Sequence, residues 1–330
     1  MFGSAFSFFS SRKKVRSNHQ GLNNNVYMSR SSATANKQLV LIGGGHAHVS
    51  VIKQFGKQAI PGVQLTVISR DLMAPYSGML PGYIAGHYSL EECHINLAPL
   101  CQYAKANLIH SAVVGLDVNN KIIKCANGQD IHYDILSINI GSSPDVNTIP
   151  GADEHVVAVK PISHFVERWQ QLRQRVLAQS GHLDIGVVGG GAGGIELCLS
   201  MQYRLNCDLA EKNKNNLTIQ FHLFDSNEEI LSSHNSKVRK KFKQVLRQRK
   251  IVTHLGESVV EVKAKQLRTD SNAMFNVDEI IWVTRASAQS WLQTTALVLT
   301  PDGFISVDPN LQSVSHPNVF AVGDIAHVIA

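Results

Sequence analysis

Gly189, Gly191 and Gly194 stand between an apolar run at 185–188 and a segment carrying Leu197, Met201 and Leu205 at helical spacing. A strand, a glycine turn and a helix in that order suit the pyrophosphate of a dinucleotide. The first glycine permits the tight turn, the second lets backbone N–H groups approach phosphate, and the third lets helix pack on strand. The helix N-terminus then turns its positive dipole end to the anion. A second strand over 217–224 ends at Asp225. A carboxylate there accepts both ribose hydroxyls of NAD and repels the 2′-phosphate of NADP, so NADH is expected over NADPH. The polar loop 211–216 makes the interval longer than usual. Lys237, Arg239, Lys240 and Lys241 read as the solvated face of a helix that carries Val238, Phe242, Val245 and Leu246 inward.

A second, looser version of the pattern lies earlier. Leu39-Val40-Leu41-Ile42 runs into Gly43-Gly44-Gly45-His46-Ala47-His48, and Val51, Ile52 and Phe55 follow on one helical face. Gly43 and Gly45 match the fingerprint, but His48 takes the place of the third glycine. A capping or packing role is expected for both histidines; the alternatives for an imidazole at position 48 are a phosphate contact at the helix start or a widened gap between helix and strand. The strand over 65–68 ends where an acid usually takes the ribose. Ser69-Arg70-Asp71 stands there instead, and Asp71, the first acid of the chain, is the candidate. The stretch 75–86 is rich in Gly and Pro yet apolar, which suits backbone packed against a flat surface. Asn127-Gly128 marks a hairpin, and a strand over 135–140 enters Gly141. Phe165, Trp169, Leu172 and Val176 mark a core-facing helix.

Gly43–Gly45, Tyr133-Asp134 through Gly141, Gly189–Gly194 and a late Gly323-Asp324 occur in the order found in two-dinucleotide-binding-domain flavoproteins. Over 38–330 the chain resembles the pyridine nucleotide-disulfide oxidoreductase superfamily. The run Tyr76-Ser77-Gly78-Met79-Leu80-Pro81-Gly82 makes it look like the branch of type II NADH dehydrogenases, which includes flavoprotein domains fused to selenide, water dikinase. The resemblance implies an α/β fold of two Rossmann-like FAD/NAD(P)-binding domains, the NAD domain inserted in the FAD domain. The boundaries implied are 38–150 with 286–330 for FAD, and 151–285 for NAD(P)H. FAD would then meet Gly43, Gly45, His46, Asp71, Gly141, Gly323 and Asp324, with its ring near 76–82. NADH would meet Gly189, Gly191, Gly194 and Asp225. Lys160, beside Pro161, resembles the family's crossover lysine and is the one candidate catalytic residue. After Asp324 the resemblance implies a helix aimed at the flavin, of which the chain holds six residues. Asn139 stands where relatives often carry a small residue, and Arg285 where a glycine commonly follows Thr284.

The composition is that of a folded α/β protein: 330 residues, 44% hydrophobic, 24 Gly and 10 Pro. Net charge is +6, but residues 1–37 carry six basic residues and no acid. The other 25 basic residues balance 25 acids, so nucleic-acid binding by the folded body has no support. The leader reads as disordered or as an organellar targeting segment, giving a cytoplasmic protein or an organellar one. Cys93, Cys101, Cys125, Cys198 and Cys207 form neither a C-x-x-C pair nor a zinc spacing, so no metal and no redox dithiol are expected. No apolar run reaches the roughly 18 residues of a membrane span. Peripheral membrane contact and homodimerisation stay open. The function expected is an FAD-dependent NAD(P)H oxidoreductase passing hydride to flavin and then to a small-molecule, quinone-like acceptor. The alternatives are a truncated, catalytically silent dinucleotide-binding protein and a selenium-metabolism accessory flavoprotein.

Overall fold

The computed structural model describes residues 37–144, 148–284 and 286–329. The expected leader, but for Lys37, and the Arg285 position lie outside the described residues. From the first of these, the chain runs through β1 (Lys37–Ile42), α1 (His46–Lys57), β2 (Val63–Ser69), α2 (Leu80–Ala85), α3 (Leu97–Tyr103), β3 (Asn107–His110) and β4 (Ile135–Ile138). It continues with β5 (Val157–Ala158), α4 (Ile162–Ala178), β6 (Gly181–Val188), α5 (Ala192–Glu211), β7 (Leu217–Asp225), α6 (Ser236–Gln248), β8 (Val252–Leu255) and β9 (Glu279–Trp282). A late strand, β10 (Val319–Ala321), completes the set.

Two five-stranded parallel sheets result, ordered β10–β4–β1–β2–β3 and β5–β9–β6–β7–β8. The orders correspond strand for strand, so one architecture is built twice. Consecutive residues are buried along the carboxyl ends of β1, β2 and β6 because both faces of a parallel sheet are covered. Each unit also carries a three-stranded antiparallel sheet, over 113–132 in the first and 259–276 in the second. The Asn127-Gly128 turn closes a hairpin of the first.

β10 comes from the end of the chain yet pairs with β4, so the second unit is an insertion in the first. The outgoing and returning connections lie side by side, Ser143–Pro144 pairing antiparallel with Ala286–Ser287. A single apolar core joins α4, α5, β6 and β7, and Leu80 and Ile84 of α2 are buried in it. Phe165, Trp169, Leu172 and Val176 are its α4 contribution, as their spacing predicts. Each such side chain contributes about 1.5–3 kcal/mol on burial. α2 thus locks the first unit onto the second. The helix expected after Asp324 is not formed: a single 3-10 turn at Gly323–Ile325 passes into Ala326–Val328, which pairs in parallel with Ile305–Val307.

Candidate functional site

The two glycine turns sit at the carboxyl ends of β1 and β6, where open α/β sheets bind ligands. At the second, Gly189 has φ +121, and its N–H donates to the Phe224 carbonyl at 2.8 Å. A Cβ on Gly194 would overlap the Gly189 carbonyl oxygen, so α5 packs on its strand only because that residue is glycine. A Cβ on Gly191 would meet nothing, leaving the face above the turn open to a ligand. Asp225 ends β7, buried, with its carboxylate over Gly190. Its Oδ1 accepts from the Asn227 backbone N–H at 2.9 Å and from Asn227 Nδ2 at 2.8 Å. Oδ2 has no hydrogen-bond partner among the described residues. This is the acid-at-strand-end arrangement that reads a ribose diol. Of the basic residues of α6, Arg239 and Lys243 both pair with Glu229.

The first turn solves the same packing problem differently. His48 sits five residues after Gly43, as Gly194 does after Gly189. Its Nδ1 donates to the Gly43 carbonyl and its Nε2 accepts from Ser137 Oγ on β4, both at 2.8 Å. The carbonyl that excludes a Cβ in the second unit takes an imidazole N–H in the first, so α1 stands further from its turn. The packing role expected of His48 therefore holds. Burial holds its pKa down to about 4, against the opposing pull of the Gly43 hydrogen bond.

A cavity of about 420 Å³ opens from this turn. Gly43, Gly45, His46, Asp71, Gly141, Gly323 and Asp324 all line it. All seven residues the sequence nominates for the flavin nucleotide thus line one cavity, and Lys160 joins them. Lys160 Nζ donates to Asp324 Oδ2 and to Ser142 Oγ, each at 2.8 Å. The ammonium hydrogen bond, with lesser help from Ser142, outweighs burial and keeps the Asp324 carboxyl below its ordinary range. Lys160 is not a free surface lysine. Asp71 reaches the cavity but pairs with Arg70 at 3.0 Å, both half exposed, while Ser69 Oγ ties the loop through the Asp71 carbonyl at 2.7 Å.

The apolar stretch 75–86 requires a correction. Leu80 and Ile84 are spent on the core of the inserted unit, and Gly82 makes room for the Tyr88 ring. Only its beginning faces the cavity: Tyr76 lies against His46, ring centroids 4.1 Å apart, and Ser77 follows it. Sequence reasoning also missed Ser142 and Asn139 as cavity residues. Their positions four residues and one residue past β4, in the loop around Gly141, were the available signal. The cysteines are reduced thiols, Cys101 and Cys198 pushed up to about 12 by burial. Among the described residues no His, Cys, Asp or Glu cluster is arranged for a metal, and no helix is long and apolar enough to cross a membrane.

The profile of the pyridine nucleotide-disulphide oxidoreductases matches residues 37–330. The chain belongs to that family. An NADH oxidase of Lactococcus lactis is 28% identical over 313 residues, 88% of this chain and 64% of that protein. Ferroptosis suppressor protein 1 of Xenopus tropicalis is 23% identical, with 91% of this chain and 77% of the relative covered. The structure of NDH2 from Plasmodium falciparum in complex with NADH superposes with a TM-score of 0.76 at 17% identity, over 88% of this chain and 65% of that one. Sulfide:quinone oxidoreductase of Aquifex aeolicus gives 0.72 at 18%, over 88% and 69%. These structures share the fold of two Rossmann-type units. The chain spans about two-thirds of the length of the NADH oxidase and of NDH2. FAD and NADH are the cofactors that membership implies. The residues present fit them: one turn opens on a cavity that Asp71, Ser142, Lys160 and Asp324 also line, and the other has an open second glycine beside a strand-end acid.

Proposed function

We propose that the protein is an FAD-dependent oxidoreductase that takes reducing equivalents from NADH and passes them to a small-molecule acceptor. FAD, when bound, supplies the two-electron chemistry that links nicotinamide to acceptor. The observation that carries this reading is the single cavity lined by the Gly43 turn, Gly141 and the Lys160–Asp324 pair, which come from four separate parts of the chain.

Gly43, Gly45 and His46 would hold the pyrophosphate end, Asp71 the ribose, and Gly141, Gly323 and Asp324 the ribitol end. Gly189, Gly191, Gly194 and Asp225 would hold NADH. The division that follows is an FAD domain of 38–150 and 286–330 around an NAD(P)H domain of 151–285. Lys160 acts as a positioning residue, fixing the Asp324 carboxylate in its charged form against the cavity. A thiol relay through this chain is disfavoured, because burial keeps the Cys101 and Cys198 thiols protonated. Extraction of the cofactor from the purified full chain, followed by mass spectrometry, tests the reading. One FAD per chain supports it. A chain that holds no flavin, and takes none up when FAD is supplied, overturns it.

A further inference from the structure

Asn139 is the residue that the family pattern does not explain. Its backbone is fixed, the N–H donating to the Ile42 carbonyl at 2.8 Å as β1 ends. Its side chain is wedged between two glycine turns. A Cβ on Gly45 would lie 2.5 Å from both Oδ1 and Nδ2 of Asn139, and a Cβ on Gly323 would lie 2.7 Å from Oδ1. One carboxamide thus crowds both Gly45 and Gly323, the second of which its φ of +76 already reserves for glycine. The residue is only 7% exposed, it lines the cavity, and its amide has no hydrogen-bond partner among the described residues.

The amide is not sealed inside the protein: its polar atoms are reachable from the cavity, where they can meet whatever fills it. Packing alone does not call for it, since alanine or serine would leave both turns intact with less crowding. An amide here supplies two N–H donors next to the turn that presents backbone N–H groups to a phosphate. We propose that Asn139 is a recognition residue of the cavity, its Nδ2 donating to the pyrophosphate of the bound dinucleotide. The proposal rests on the FAD reading of this cavity and adds a chain-specific donor to it.

The test is FAD affinity of the flavin-free full chain, measured by quenching of flavin fluorescence, with ADP as a competing diphosphate ligand. Asn139→Ala removes the donor. Asn139→Asp keeps the shape and replaces the donor with a negative charge. We expect FAD and ADP each to bind roughly tenfold more weakly to the alanine variant, and more weakly still to the aspartate variant. NADH affinity, read at the other turn, stays at the wild-type value in both and shows that the variants are folded. Wild-type affinity for FAD in both variants overturns the proposal and leaves the FAD reading standing. Loss of FAD affinity with ADP unaffected also overturns it, because the amide then serves another part of the cofactor. A wild-type chain that binds no FAD fails earlier, and the FAD reading falls with the proposal.

Discussion

At the scale of single residues, the histidine in place of a motif glycine gives the chain a pH dependence. Buried His48 is neutral, both ring nitrogens are engaged, and its pKa is near 4 against 6.5 for an unfolded imidazole. Above about pH 6.5 both states are neutral and the full stability is present. As pH falls through 6.5 toward 4, the unfolded chain takes up a proton that the folded chain refuses. The linkage amounts to about 3 kcal/mol by pH 4. Urea unfolding at pH 7.5 and pH 5 should show the loss, and a His48→Gly variant should show less of it. Asp225 supports a second prediction. With Oδ2 available beside Gly190, Asp225→Ala should raise KM for NADH about tenfold and leave KM for NADPH nearly unchanged, narrowing the preference between them. Steady-state kinetics with both nucleotides decides this.

Elements set the next scale. α5 packs on its strand because Gly194 leaves room for the Gly189 carbonyl, so Gly194→Ala should force the helix off and abolish NADH binding. Isothermal titration with NADH reads that directly. α2 is an element of the first unit whose apolar face belongs to the second. Ile84→Ala should cost about 2–5 kcal/mol in chemical denaturation, a core-sized penalty for a residue in a short, Gly/Pro-rich stretch. These two cases show how far the sequence could be read. The strand–glycine–helix units and the Phe165–Val176 face were legible because their signals are local and periodic. The docking of α2 was not, since six residues carry no helical period and their partner lies more than a hundred positions away. The strand at Ala326–Val328 was misread as helix for a related reason: its pairing partner is set by tertiary structure. Asn139 was noticed as a departure, but its meaning depends on Gly45 and Gly323 meeting around it.

On the scale of the molecule, one architecture occurs twice, and the chain leaves and re-enters the first copy through adjacent strands. The two units are joined by more than the crossover. Ile84 and Leu80 cross into the inserted core, Tyr83 accepts from Gln170 of α4 at 3.0 Å, and Gly86 lies against Arg204 of α5. Arg204 and Arg173 both bond the buried Asp208 carboxylate, which ties α4 to α5 under the same contact. A rigid seam of this kind fixes the distance between the two nucleotide turns, as transfer between two bound cofactors requires. The central claim is that transfer. The purified chain, loaded with FAD and held without oxygen, should lose its flavin absorbance near 450 nm on addition of one equivalent of NADH, and far more slowly with NADPH. A bound flavin that NADH leaves oxidised would contradict the account.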